Sequence, residues 1–206
     1  MKNLVVLSGA GMSAESGIST FRDAGGLWDK YPVEQVATPE GYARNPELVI
    51  NFYNERRKQL LDVEPNAGHI GLAGLEKDFN VTVVTQNVDN LHERAGSKRV
   101  IHLHGELTKV CSSRAPYNPH YIKELKPDEY QVKLGDKAGD GTQLRPFIGT
   151  SMNVYPAAGL LNYVPREAEV YLIDPKPVDV HSTRRIHIIQ KGASEGVQEL
   201  RSLLKP

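Results

Sequence analysis

Cysteine is almost missing from this chain of 206 residues: Cys111 stands alone. One thiol excludes an internal disulfide and a metal centre built from several thiolates. Net charge is missing as well, since 25 Lys and Arg balance 25 Asp and Glu. Without a field of one sign, nothing marks the chain for nucleic acid or for an anionic membrane surface. No apolar run is long enough to span a bilayer, and the first residues lack a charged-then-apolar leader pattern. These absences lead to an expected cytoplasmic α/β protein, with length for one domain and a small appendage.

What is present is organised around residues 4–22, LVVLSGAGMSAESGISTFR. Leu4–Leu7 is a short apolar run with two β-branched residues, which predicts a buried strand. Gly9, Gly11 and Ala14 follow at the spacing G-x-G-x-x-A. Such a turn lets backbone approach a pyrophosphate, and a following helix turns its first N–H groups toward the charge. A tight glycine turn without a ligand has the same pattern; the strand before it and the helix after it are the context a dinucleotide requires. A standard dinucleotide fold next shows an acid about 20 residues on, at the end of a second strand. Asp29 falls there, but STFRDAGGLWDKY around it is not strand-like. With Gly25 and Gly26 as hinges and Phe21, Arg22 and Trp28 within it, the segment reads as a loop laid over the ligand. A plain hydride-transfer enzyme is correspondingly disfavoured.

Residues 32–64 read as helical, with Pro46 suited to a first helical position. Tyr53 and Arg56, three apart, share a face and are able to present a phenol and a guanidinium to a carboxylate. On spacing alone an ordinary amphipathic helix explains them better. A second helix runs through Leu75, and Phe79–Thr85 is the next strand. It ends in Gln86-Asn87-Val88-Asp89-Asn90, a polar cluster where open α/β sheets bind ligands; a helix-capping turn explains it equally well. Arg99–Gly105 reads as a strand that puts His102 and His104 on one face. A histidine just before a strand-end glycine suits a general base near neutral pH. A metal held by the pair is disfavoured, since no thiolate or acid cluster accompanies it.

Residues 109–143 are polar and without sustained periodicity, which marks a small lobe. Arg145–Ile148 reads as a short strand running into Gly149-Thr150-Ser151, another polar strand-end loop. A helix over Val154–Tyr163, strands at Glu169–Asp174 and Ile186–Gln190, and an amphipathic helix over Ser194–Leu204 follow. The alternation predicts an α/β, Rossmann-like, doubly wound parallel sheet. One domain, 1–206, is expected, with the lobe formed by about 20–65 and 106–143.

Four motifs, GAGMSAESGISTFR (9–22), TQNVDNLHERAG (85–96), HLHG (102–105) and GTSMNVYPAAGL (149–160), stand in the order found in sirtuins. By these motifs the chain resembles that family of NAD-dependent protein deacylases. The resemblance implies that Gly9, Ala10, Gly11, Ala14, Phe21, Arg22 and Trp28 hold NAD and its covering loop, and that Gln86, Asn87 and Asp89 line the nicotinamide and ribose pocket. It implies His104 as general base, Gly149, Thr150 and Ser151 at the adenosine half, and Ala193 against the adenine. Asp174 stands where the family commonly has Asn, near the ribose. The implied reaction begins as nicotinamide leaves the ribose and an acyl-lysine oxygen attacks. It ends in free lysine, nicotinamide and 2′-O-acyl-ADP-ribose. The resemblance also gives Tyr53 and Arg56 a role that their spacing alone does not: Tyr-x-x-Arg here marks sirtuins that prefer succinyl or malonyl groups. Acylated protein lysines are the implied partners, with neither nucleic acid nor membrane, and a monomer is expected.

Two departures stand out. Many sirtuins bind zinc through four cysteines in the lobe, whereas Cys111 is followed here by Ser112, Ser113 and Arg114, so no zinc is expected. Between Ile148 and Gly149 the family also has a further stretch, which includes a loop of the peptide channel and a strand. Its absence favours one alternative, a module that holds NAD or ADP-ribose without turnover; a second alternative, a mono-ADP-ribosyltransferase, uses the same leaving-group chemistry with a different nucleophile.

Overall fold

The computed structural model describes residues 1–18, 31–148, 157–177 and 185–204. β1 (Lys2–Ser8) and β2 (Phe79–Thr85) carry runs of β-branched residues, and the two strands pair in parallel with Val6 opposite Val83 and Ser8 opposite Thr85. β3 (Val100–His102) adds to the far side of β2, also in parallel. Behind β1 the chain turns directly into α1 (Gly11–Ala14), a single helical turn.

The lobe is built from α2 (Val33–Val36), α3 (Pro39–Arg44) and α4 (Pro46–Gln59). Pro46 opens α4 as expected, and the Asn45 side chain caps it by accepting from the Leu48 N–H at 3.1 Å. The 14-residue α4 lies on an antiparallel sheet of β4 (Gly105–Ser112), β5 (Lys123–Glu124) and β6 (Leu144–Ile148), in the order β5-β4-β6. Ile50, Phe52 and Tyr53 from the helix close on Leu107 and Val110 of β4 and on Leu125 and Val132.

The second core lies over the parallel strands. α5 (Ala67–Gly74) packs Leu72 against Val81 and Val83 and against Val197 of the C-terminal helix α8 (Ala193–Leu204). A Cβ on Gly71 would come within 2.7 Å of Val197 Cγ1, so glycine there permits the close helix approach. α6 (Leu91–Arg94) follows β2, and α7 (Ala157–Leu160) precedes a two-stranded parallel ladder of β7 (Val170–Ile173) and β8 (Ile186–Ile189).

The parallel strands and flanking helices give the expected α/β class, with the strands in two separate ladders among the described residues. β1 is an end strand of its ladder there, and Val5 is 68 % exposed. Three local expectations change. Residues 99–105 are not one strand: β3 stops at His102, the chain turns at Leu103 and His104, and Gly105 (φ +82°) starts β4 from the left-handed region. His102 and His104 therefore do not alternate along one pleat. The stretch 109–143, expected to be without pattern, contains the end of β4 and all of β5. Within 157–163 the α-helix is one turn, followed by a 3₁₀ turn over Leu161–Tyr163.

Candidate active site

The carboxyl ends of β1, β2 and β3 lie side by side, because the ladder continues past the strands. The Gln86 N–H donates to the Ser8 carbonyl at 2.9 Å, and the Leu103 N–H to the Thr85 carbonyl at 2.8 Å. Three loops thus meet: 9–14, 86–90 and 103–104. Side chains lock the first two together. The Ser13 hydroxyl donates to Asp89 Oδ2 at 2.9 Å and accepts from Asn87 Nδ2 at 3.0 Å. Asp89 Oδ1 accepts from the Leu91 N–H at 3.2 Å, and the Asn87 N–H reaches Thr85 Oγ1 at 3.0 Å. Burial pushes the Asp89 carboxyl up, and its bonds to Leu91 and Ser13 oppose that push. Asp89 thus makes an Asx turn just ahead of α6, whose N-cap is Asn90.

Glycine at 9 and 11 is not demanded by packing. A Cβ at either position meets no atom within 4 Å among the described residues. The open space over this turn is what a closely approaching ligand such as a dinucleotide diphosphate needs. Ala10 is helical at φ −54° and Ala14 ends α1. Glu15, the next residue, accepts the Ser194 N–H at 3.2 Å, which brings this turn to the start of α8 and hence to Ala193. Ala193 also lies so close to α5 that a Cβ on Gly68 would stand 3.0 Å from its carbonyl. Asp174, just past β7, accepts the Lys176 N–H at 2.8 Å and so holds a turn. The residues present fit an NAD molecule laid along the strand ends.

His104 sits in the turn after β3, and burial holds its imidazole below the ordinary histidine value; it is neutral at pH 7. Tyr53 and Arg56 are buried on α4, 3 % and 8 % exposed, with Tyr53 in the lobe core beside Phe52 and Leu107. Burial drives the Tyr53 phenol up to about 12, against the pull of Arg56 and Arg57. Burial lowers the Arg56 guanidinium, and the charges of Tyr53 and Asp89 resist it, so its field reaches the loop after β2. Phe21, Arg22, Trp28, Gly149, Thr150 and Ser151 lie outside the described residues.

Three features are not signalled by the sequence. The fully buried Arg57 donates through Nε to the Leu107 carbonyl at 2.6 Å and through Nη1 to Asn54 at 3.0 Å, and Asn54 in turn holds both backbone groups of Val132. Burial lowers this guanidinium to about 10. His102 is clamped between the Asn87 carbonyl and Glu93 rather than turned toward His104. Glu93, His102 and Glu106 are the only metal-capable group among the described residues, but each is already bonded, Glu106 to Lys109 at 2.7 Å. The i,i+3 spacing of Asn54 and Arg57 is visible in the sequence, yet nothing local tells that this face of α4 is buried.

The zinc of the wider family does not fit the lobe residues. The Cys111 thiol is buried, pushed up to about 11, and no second thiol exists. A polar knot ties the lobe instead. The Ser112 hydroxyl lies 2.6 Å from Asp140 and 2.9 Å from Thr142, and it accepts from the backbone N–H groups of Arg114 and Ala115.

With the geometry in place, the similarities are specific. The sequence profile of the Sir2 family matches residues 9–148. An NAD-dependent protein deacylase of Bacteroides thetaiotaomicron is 74 % identical over 232 aligned positions, which cover 100 % of this chain and 99 % of that protein. One of Helicobacter pylori is 45 % identical, covering 97 % and 96 %. Among solved structures, a Sir2 homologue in complex with NAD superposes with a TM-score of 0.79 at 32 % identity, over 98 % of this chain and 90 % of that one. The Bacteroides alignment is longer than the 206 residues here, so that relative carries residues this chain lacks, and the family match ends at Ile148.

Proposed function

The chain belongs to the Sir2 family, and from that premise we propose that it is an NAD-dependent lysine deacylase that favours succinyl and malonyl over acetyl groups. The observation that carries the preference is the pair Tyr53 and Arg56, buried together on one face of α4. A buried guanidinium gains most from an anion that bonds it in two places. The distal carboxylate of a succinyl or malonyl group is such an anion; an acetyl group has none.

NAD, when bound, supplies a ribose carbon activated by the nicotinamide leaving group. The chain's own residues do the rest. Gly9 and Gly11 leave room for the diphosphate, and the loop 86–89, fixed by Ser13 and Thr85, lines the nicotinamide end. His104, neutral at pH 7, accepts a proton from a ribose hydroxyl as that oxygen attacks the acyl carbon. Tyr53 and Arg56 hold the acyl tail and thereby the reacting carbonyl.

Nicotinamide release from NAD with succinyl-, malonyl- and acetyl-lysine peptides tests the reading. Changing Arg56→Met is expected to lower desuccinylation by about tenfold to a hundredfold, the size of one charge-assisted contact, with a much smaller effect on deacetylation. Equal losses on both substrates remove the acyl preference; peptide turnover without NAD removes the deacylase.

A second reading has one observation in its favour: the residues present in the Bacteroides relative but not here. On that reading the chain binds NAD or ADP-ribose without turnover. Binding of ADP-ribose with no release of nicotinamide from any acyl peptide decides for it.

A further inference from the structure

His102 has both ring nitrogens engaged. Nδ1 lies 2.8 Å from the backbone oxygen of Asn87, and Nε2 lies 2.7 Å from Glu93 Oε1. The backbone oxygen accepts only, and so does Glu93 while it is ionised, so both contacts are hydrogen bonds when both nitrogens carry protons, as in the imidazolium. The side chain is 5 % exposed, so water is a poor substitute for either partner. Burial opposes the charge. The bond to Glu93, the Asn87 carbonyl and the charges of Glu93 and Glu106 overcome it and raise the histidine above its ordinary 6.5. The same pairing holds the Glu93 carboxyl low, although burial pushes the other way. The other charged and titratable groups facing this ring are Asp89 and His92; Lys109 stands behind Glu106.

The Asn87 carbonyl belongs to the loop that carries Gln86, Asn87 and Asp89. Other contacts fix the remainder of that loop: Gln86 N–H to Ser8, Asn87 N–H to Thr85, the Val88 carbonyl to the Leu107 N–H at 2.7 Å, and Asp89 to Ser13. His102 therefore supplies the donor that sets the direction of the peptide between Asn87 and Val88.

We propose that His102 is a positioning residue for the nucleotide site: as an imidazolium between Glu93 and the Asn87 carbonyl it fixes the loop 86–89, and affinity for the dinucleotide falls when the ring loses its proton. The direction of the loss follows from the partners. A neutral ring keeps one N–H. The carboxylate is the stronger acceptor and retains it, so the Asn87 carbonyl is left facing a lone pair.

The inference rests on the deacylase reading only for its kinetic form, because binding of ADP-ribose gives the same result without turnover. ADP-ribose affinity, and KM for NAD with a succinyl peptide, are measured from about pH 6 to about pH 9. In the parent protein the dissociation constant and KM are expected to rise by about tenfold above the histidine's raised pKa, while kcat at saturating NAD changes little. Glu93→Gln is expected to remove this alkaline rise. Its amide donates to Nε2, so a neutral ring keeps Nδ1–H on Asn87 at every pH. His102→Ala is expected to bind weakly and without the rise. A parent affinity flat with pH, or a rise that persists in Glu93→Gln, overturns the proposal. Normal pH-dependent ADP-ribose binding with no acyl-lysine turnover leaves it standing and sinks the deacylase reading instead.

Discussion

The Ser13 hydroxyl bonds the Asp89 carboxylate at 2.9 Å across 76 residues of sequence, and the same oxygen accepts from Asn87. One small side chain therefore joins the glycine turn after β1 to the polar loop after β2. Ser13→Ala leaves a buried carboxylate oxygen and a buried amide each short of a partner. It is expected to lower unfolding free energy by about 1–3 kcal/mol, read by urea denaturation. Because the Asp89 carboxyl is already pushed up by burial, the loss is expected to shrink as pH falls and the carboxyl takes a proton.

The lobe depends on Asn54 in a comparable way. It accepts from Arg57 Nη1 and the Val132 N–H and donates to the Val132 carbonyl at 2.8 Å. Asn54→Ala orphans three buried groups at once, with an expected cost of about 3 kcal/mol in chemical denaturation.

Acid is expected to destabilise the protein before its carboxylates titrate. His69 and His92 are buried edge to face, ring centroids 4.8 Å apart, and burial lowers each to about 4. In the unfolded chain they titrate near the ordinary 6.5. The unfolded state therefore binds more protons between these values, and stability present above pH 6.5 is lost as pH falls toward 4. Urea midpoints on either side of the ordinary value measure the loss; His69→Gln is expected to flatten it.

Metal analysis of the purified protein is expected to find no stoichiometric zinc, and chelators are expected to leave its thermal midpoint unchanged. The knot around Ser112 holds the lobe instead, so Ser112→Ala is expected to lower that midpoint.

Tyr53→Phe separates the two contacts proposed for the acyl carboxylate. Loss of one phenolic bond with the ring's packing kept is expected to raise KM for a succinyl peptide by about tenfold, with little change for an acetyl peptide. Steady-state kinetics on the two peptides check it.

The strands and their parallel pairing could be read from residues alone, because β-branched runs such as FNVTVVT stand between helical stretches; which strands neighbour which, in two separate ladders among the described residues, could not. The loops that carry chemistry were legible too, since glycines, amides and histidines cluster at strand ends, as was the placing of Tyr53 and Arg56 on one helical face. Only packing in three dimensions buries that face, spends Asp89 on Ser13 and Leu91, and turns His102 to Glu93 and Asn87. The lobe sheet was hidden for the same reason. Periodicity reports how residues repeat along one element, whereas these choices are made by partners elsewhere in the chain and by a break in direction at Gly105.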